Sequence, residues 1–295
     1  MVKLLASQHI DKRKWDQMVA SDMQLDFFSL SWVQEILHSN WEMLSDDAGN
    51  YILTIPTGKK FGFNYRLQPF FIRSLHISQG NQDKLAEIVE FLKTSSRYIH
   101  LNFETENKAI FQSFGKFQLL DLSNTIDVIK ANYGTNAKRI LKKIPSDFIF
   151  NQEIEVDVFI SFFKKQKGEE LMGFTDEVWN RLTKLLTETQ SRGMLNIRTI
   201  HLNGLLIAAG AFISFKGTCY FLKGTATPEG KKTGAMYALL DHVISVVHSS
   251  HQCLDFVGSN NESIAQFYRK FGAKDKSYGI LKENNLPVFL KFLKP

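Results

Sequence analysis

The residues able to do chemistry in this chain gather in its second half. Asp255 stands within the apolar run Leu254-Asp255-Phe256-Val257, where a carboxylate serves either as a base toward an amine or as an anchor for the next turn. The segment Asn136-Ala137-Lys138-Arg139-Ile140-Leu141-Lys142-Lys143 puts Lys138 and Lys142, and Arg139 and Lys143, one helical turn apart. Asn136 and Arg139 could clamp a substrate carboxylate, since arginine suits bidentate contact; the same residues equally make a solvated, charged helix face. Lys231-Lys232-Thr233-Gly234-Ala235 leads into a helical pattern, and free N–H groups at a helix start favour phosphate. Two loop lysines can also simply be solvated. Asn261 could hold a ligand or cap its own helix, and Ser259 with Glu262 has capping-box spacing. His248 and His251 lie three apart without a third ligand nearby, so no metal is expected. Nucleophile-elbow, P-loop and Rossmann glycine patterns are absent from the sequence.

Those residues need a framework, and 295 residues with 44% hydrophobic and 22% charged content can build one or two cores. Residues 1–125 hold 13 Lys+Arg against 14 Asp+Glu, and residues 126–295 hold 23 against 16. A domain boundary is therefore placed near 125, and the basic second half is expected to meet something anionic. Nucleic-acid binding by composition is weakly supported, because the basic segments lack interleaved aromatics. No apolar run is long enough to span a membrane, and the first residues do not read as a secretory signal. Cys219 and Cys253 form no disulfide framework, and a cytoplasmic protein with reduced thiols is expected.

Period and turn signals place the elements. The pattern predicts helices over 11–21, 29–39 and 82–94, a helical stretch over 127–144 interrupted near Gly134, and helices over 157–167 and 175–192. Thr175 can cap the last of these. A meander follows: strands over 195–202, 205–215 and 218–226, joined by Asn203-Gly204 and Lys216-Gly217. A helix over 234–249, a short strand over 254–257, a helix over 262–271 and a final strand pair over 278–293 complete the chain. The fold class is α/β with a mixed sheet.

This order, with its residues, resembles the Gcn5-related N-acetyltransferase (GNAT) fold. Asn261, Ala265, Tyr268, Lys270 and Gly272 are similar to that family's Asn-x-x-Ala-x-x-x-Tyr-x-Lys-x-Gly-Phe segment, with Ile264 in place of a small residue and Ala273 in place of the final Phe. Lys231-Lys232-Thr233-Gly234-Ala235-Met236 resembles its pyrophosphate turn, Gln/Arg-x-x-Gly-x-Gly/Ala, with Lys231 and Met236 departing from the pattern. Leu254-Asp255-Phe256-Val257-Gly258, Phe267-Tyr268 and Phe271-Gly272, and Asn136 with Arg139, look like motifs of the FemAB-like branch, in which two GNAT-like domains lie in tandem.

The resemblance implies two GNAT-like domains, 1–125 without a cofactor motif and 126–295 carrying an acyl-coenzyme A site. It implies that Gly224, Thr225, Ala226 and Thr227 end a strand that splays from 254–257 and presents N–H groups to the pantetheine arm and the thioester carbonyl. Lys231, Lys232, Thr233, Gly234, Ala235 and Asn261 would complete the cofactor site, and Asn136 and Arg139 would meet the acceptor. Tyr268 would protonate the leaving thiolate, or else be a core aromatic, and Asp255 would take a proton from the amine. Three readings stand side by side. The first is an N-acyltransferase moving an acyl group, acetyl by expectation, from acetyl-CoA to a small-molecule or peptide amine. The others are a FemAB-like aminoacyl transferase fed by charged tRNA, and a non-catalytic binding scaffold.

Overall fold

The computed structural model describes residues 2–293 apart from 39, 106, 108, 172 and 259. The chain forms two compact units, Met1–Gly115 with Ser277–Pro295, and Lys116–Lys276. The first unit carries strands β1 (Val2–Ala6), β2 (Trp41–Asp46) and β3 (Tyr51–Pro56), which pair antiparallel, and helices α1 (Lys12–Ser21) and α2 (Ser31–Leu37). Trp15 of α1 is wholly buried and donates its indole N–H to the Ser29 carbonyl at 2.7 Å. Strands β4 (Gly58–Lys60), β5 (Phe63–Leu67) and β6 (Tyr98–Glu104) continue the unit, with α3 (Leu85–Ser95) between the last two.

The second unit holds the residues singled out above. Its sheet orders β7 (Ser113–Asp121), β12 (Cys253–Asp255), β11 (Thr218–Ala226), β10 (Leu205–Phe215), β9 (Leu195–Leu202) and β8 (Ile149–Phe150). β12 runs parallel to β11, and the other pairs are antiparallel. Helices α4 (Ile126–Ala131), α5 (Thr135–Leu141), α6 (Val156–Lys167), α7 (Asp176–Ser191), α8 (Pro228–Thr233), α9 (Ala235–Val247) and α10 (Glu262–Arg269) surround it. Strand β13 (Lys274–Asn284) then pairs with β6 from Tyr278 onward. The expected partner strand after Asn284-Asn285 does not form: Val288–Leu293 is a short 3-10 helix behind Pro287, whose missing N–H suits no ladder.

Local chemistry explains the elements. Asn203 and Gly204, and Lys216 and Gly217, all have positive φ, as type I′ turns require, so each hairpin closes in two residues. Thr175 caps α7 by accepting from the Val178 N–H, and Val178, Leu182, Leu185 and Leu186 form its buried stripe. Asn261 caps α10, accepting from the Ser263 N–H at 3.0 Å. The capping-box serine, Ser259, lies outside the described residues. α9 packs Ala238, Leu239, Val243 and Val247 against Ile200, Phe212, Cys219 and Phe221 of the sheet, forming the core of this unit. Cys219 and Cys253 lie on neighbouring strands and are not joined in a disulfide, and burial pushes the Cys219 thiol up to about 12.

α10 is latched at its end. Arg269 donates to both carboxylate oxygens of Asp275, at 2.9 and 2.7 Å, and to Glu262 at 2.7 Å. These charge-assisted bonds hold the Asp275 and Glu262 carboxyls below their ordinary range. A carboxyl depressed in the folded state stabilises at neutral pH, and that contribution is lost as pH falls through its folded value. Arg269→Met is therefore expected to lower unfolding stability modestly at neutral pH, and by less in acid, where the two carboxylates are protonated. Denaturant midpoints of both proteins at neutral and acid pH check this. Gly234 has φ +78, and a Cβ there would sit 2.6 Å from Ile140 Cγ2. Gly234→Ala is expected to cost at least about 1–2 kcal/mol in the same assay.

Candidate active site

β11 and β12 part. They pair only through Thr218↔Cys253, Cys219↔Leu254 and Tyr220↔Asp255, whereas β11 continues along β10 as far as Ala226. β12 is drawn away by its other edge: it pairs with β7, and the Phe256 N–H donates to the Gln118 carbonyl at 3.1 Å. Asp255 then turns the chain, its Oδ1 accepting the Val257 N–H at 2.7 Å. Val257 is held at φ 55, a strained conformation for a β-branched residue.

The freed edge of β11 has a defined set of donors. The Thr227 N–H donates to the Ile207 carbonyl at 2.9 Å, which makes 207/227 a hydrogen-bonded pair of the antiparallel ladder. By alternation, Thr225 and Lys223 also direct their backbone groups to β10, whereas the N–H groups of Gly224 and Ala226 point toward the gap. Of the four residues expected to supply donors, only these two aim the right way. The strand also carries a bulge: Ala211 pairs with Lys223 and Phe212 with Phe221, leaving Leu222 as the extra residue.

Tyr268 reaches this place through an aromatic column. Its ring stacks on Phe256, with centroids 4.1 Å apart, and meets Phe221 edge-on at 6.1 Å. Phe221 in turn stacks on Phe212 at 4.8 Å. Gly210 and Gly224 leave room for those rings, since a Cβ on Gly224 would lie 2.5 Å from Phe221. The packing pushes the Tyr268 phenol above the ordinary tyrosine range, so it stays protonated at neutral pH. The phenol is enclosed by protein, while the residue as a whole is only half-buried. Core packing and an acid role are thus compatible in one side chain.

The other expected residues are placed as follows. Asn261 caps α10 and also accepts from the Ser263 hydroxyl at 2.7 Å. Asn136 and Arg139 bind each other, Arg139 donating to Asn136 Oδ1 at 2.9 Å, on the exposed side of α5. Lys231, Lys232 and Thr233 do not form a turn: they are the last turn of α8, where the Lys231 N–H donates to the Thr227 carbonyl at 2.8 Å. Gly234 joins α8 to α9 in the left-handed region and is buried, with Ile140 and Ile144 packed over it. Ala235, the first residue of α9, is fully buried.

The pyrophosphate turn that the sequence pattern implies would draw on the backbone N–H groups of this joint, those of Ala235 and Met236 at the start of α9 among them. A phosphate cradle needs backbone N–H groups pointing outward. Here the Lys231 and Gly234 amides serve the end of α8, and two isoleucines roof the glycine. Lys231 and Lys232 remain exposed beside it, as do Lys142 and Lys143 at the end of α5. Among the described residues no group of three or more side chains could hold a metal, and no helix is long and apolar enough to cross a membrane.

Residues 136–268, from Asn136 to Tyr268, match the family described as the acetyltransferase (GNAT) domain. No curated protein matches the sequence. Among solved structures, FemX is 10% identical with a TM-score of 0.66, covering 99% of this chain and 100% of that chain. L-PGS from Bacillus licheniformis is 14% identical with a TM-score of 0.54, covering 96% and 95%. A tandem GNAT protein from the clavulanic acid biosynthesis pathway, solved without AcCoA, is 11% identical with a TM-score of 0.53, covering 97% and 99%. At these identities the likeness is one of fold. The family match marks residues 136–268, the segment that builds the parted strands, as a GNAT-type acetyltransferase domain, and along its whole length the chain shares its fold with FemX and a tandem GNAT protein.

Proposed function

We propose that the protein transfers an acyl group from an activated ester or thioester to a primary amine by direct attack, in the gap between β11 and β12. The observation that carries this reading is the parting of the two strands beside a protonated phenol. The donor's acyl carbon would lie in the gap, with its carbonyl oxygen accepting from the Gly224 or Ala226 N–H, where charge develops in the tetrahedral intermediate. The amine, having given one proton to water, forms the new C–N bond; the bond from the acyl carbon to sulfur or oxygen breaks, Tyr268 gives its proton to the departing atom, and the proton shed by the new amide nitrogen restores the phenol. Asp255 is occupied in turning the chain, which favours a positioning role for it over that of a base.

Acyl-coenzyme A is the donor the family suggests. A second donor, an acyl ester at the end of a charged tRNA, is supported by four exposed lysines, Lys142, Lys143, Lys231 and Lys232, on the segments that meet at Gly234, a charge pattern that suits an extended polyanion. In either case the reaction asks for no resident metal, and a cytoplasmic setting belongs to the same reading.

Tyr268→Phe is expected to lower kcat roughly 10- to 10³-fold with little change in stability. Mass spectrometry of amide product, from acetyl-CoA and from charged tRNA with a panel of primary amines, measures it. An unchanged rate in a folded variant removes Tyr268 from the mechanism. Titration separates the donors. Micromolar acetyl-CoA affinity that weakens in Lys231→Ala/Lys232→Ala supports the coenzyme, and no saturation at about millimolar ligand, with turnover from tRNA, supports the second donor.

A further inference from the structure

In the first unit, β4 and β5 make a hairpin at the edge of their sheet. Gly58 pairs with Tyr65, Lys59 with Asn64 and Lys60 with Phe63, so Phe61 and Gly62 alone turn the chain. Both have positive φ, 50 and 79, as a two-residue turn of this kind requires. Asparagine, aspartate or glycine takes the first of these positions at little cost, and a phenylalanine does not. The ring is not buried in return. Phe61 is 67% exposed, and the Lys60 ammonium lies over it, 5.4 Å from the centroid.

The groups around the turn are aromatic and cationic. Strand alternation puts Phe63 and Tyr65, both half-buried, on the face of Lys60, and Lys59 and Asn64 on the other. The Tyr65 ring lies across Gly58, where a Cβ would collide with it. From Thr57 to Tyr65 the sequence has two lysines and no acidic residue. Arg97 adds an exposed cation, placed beside the hairpin by its N–H, which donates to the Asn64 carbonyl at 2.9 Å. Glu283 of β13 stands two strands from β5 and, with Glu90, is held by Lys93, at 3.9 and 2.9 Å. Lysines on a short edge strand deter pairing with another chain, which accounts for the charges. It does not account for a strained, exposed phenyl at the tip.

We infer that this hairpin tip docks the protein on an anionic lipid surface. Phe61 enters the boundary between headgroups and acyl chains, and Lys59, Lys60 and Arg97 meet the lipid phosphates. Long lysine stems let the ammonium groups stay at headgroup level while the ring goes deeper. An anionic surface would repel acidic residues, and the tip carries none. A protein partner fits less well. A stable protein interface takes roughly 800 Å² from each side, and a two-residue turn with one large apolar side chain offers far less. The costly backbone at Phe61 also has a reason here, since the turn is the one place on the hairpin where a ring can lead. The inference stands on the first unit alone and does not rest on the acyl-transfer reading.

The test is sedimentation of the full chain with vesicles of phosphatidylcholine containing about one-third phosphatidylserine. Binding is expected at low salt. It is expected to fall at least about tenfold in Phe61→Asn, in Lys59→Gln/Lys60→Gln, and on phosphatidylcholine alone. Asparagine suits the left-handed turn position, so Phe61→Asn should keep or raise the denaturant midpoint, and its loss of binding is then not a loss of fold. Phe61→Trp should bind, with emission that brominated acyl chains quench. Binding that Phe61→Asn leaves unchanged comes from positive charge elsewhere on the chain and overturns the inference. Emission of Phe61→Trp that brominated chains leave unquenched overturns it as well. So does the absence of vesicle binding, and self-association removed by Phe61→Asn would then make a second copy the occupant.

Discussion

The site depends on an unequal contest for β12. On one edge this strand of three residues is held by β7 and, past its own end, by the bond from Phe256 to Gln118. On the other it keeps β11 for three residue pairs and then turns away at Asp255 and Val257. β11, paired with β10 throughout, cannot follow. Among the described residues, the result is a stretch of inner strand with no strand paired along one edge. Backbone groups left in that state must find water or a ligand, which is why the place where the strands part is also where chemistry can be done.

The remaining packing serves that opening. Paired glycines at 210 and 224 let Phe212 and Phe221 stack flat, and Phe221 with Phe256 fixes the ring of Tyr268. The helix carrying Tyr268 is held at its far end by Arg269 and Asp275, and Lys270 donates to the Tyr237 hydroxyl of α9 at 3.2 Å. The Gly134 N–H donates to the Lys270 carbonyl at 2.9 Å, tying the α4–α5 joint to the same helix end. A phenol used as an acid needs an environment that keeps its proton until a stronger base develops beside it. Burial against three aromatic rings provides that, and the strained backbone at Val257 is the cost carried locally.

Much of this was legible in the residues. Asn203-Gly204 can hardly be read as anything but a tight turn, and the stripe Val178, Leu182, Leu185 and Leu186 specifies a buried helix face. Asn261, Tyr268 and Gly272 carried the family resemblance because spacing along one helix survives in sequence. Other features depend on contacts between distant segments, which spacing cannot show. That Ile140, nearly a hundred residues earlier, packs on Gly234 cannot be read from the Thr233-Gly234 spacing. The alternation that turns the Gly224 and Ala226 amides to the gap, but not those of Thr225 and Thr227, follows from register with β10. The last strand's single length, in place of a pair, was foreshadowed only by Pro287.

The most direct measurement of the central claim is amide hydrogen exchange along β11, read residue by residue by NMR in the protein without ligand. The parted strands require alternation beyond Tyr220: Lys223 and Thr225 protected by β10, Gly224 and Ala226 exchanging markedly faster. Uniform protection from Phe221 to Ala226 would mean that the edge is covered, and the gap on which the acyl-transfer account rests would not exist.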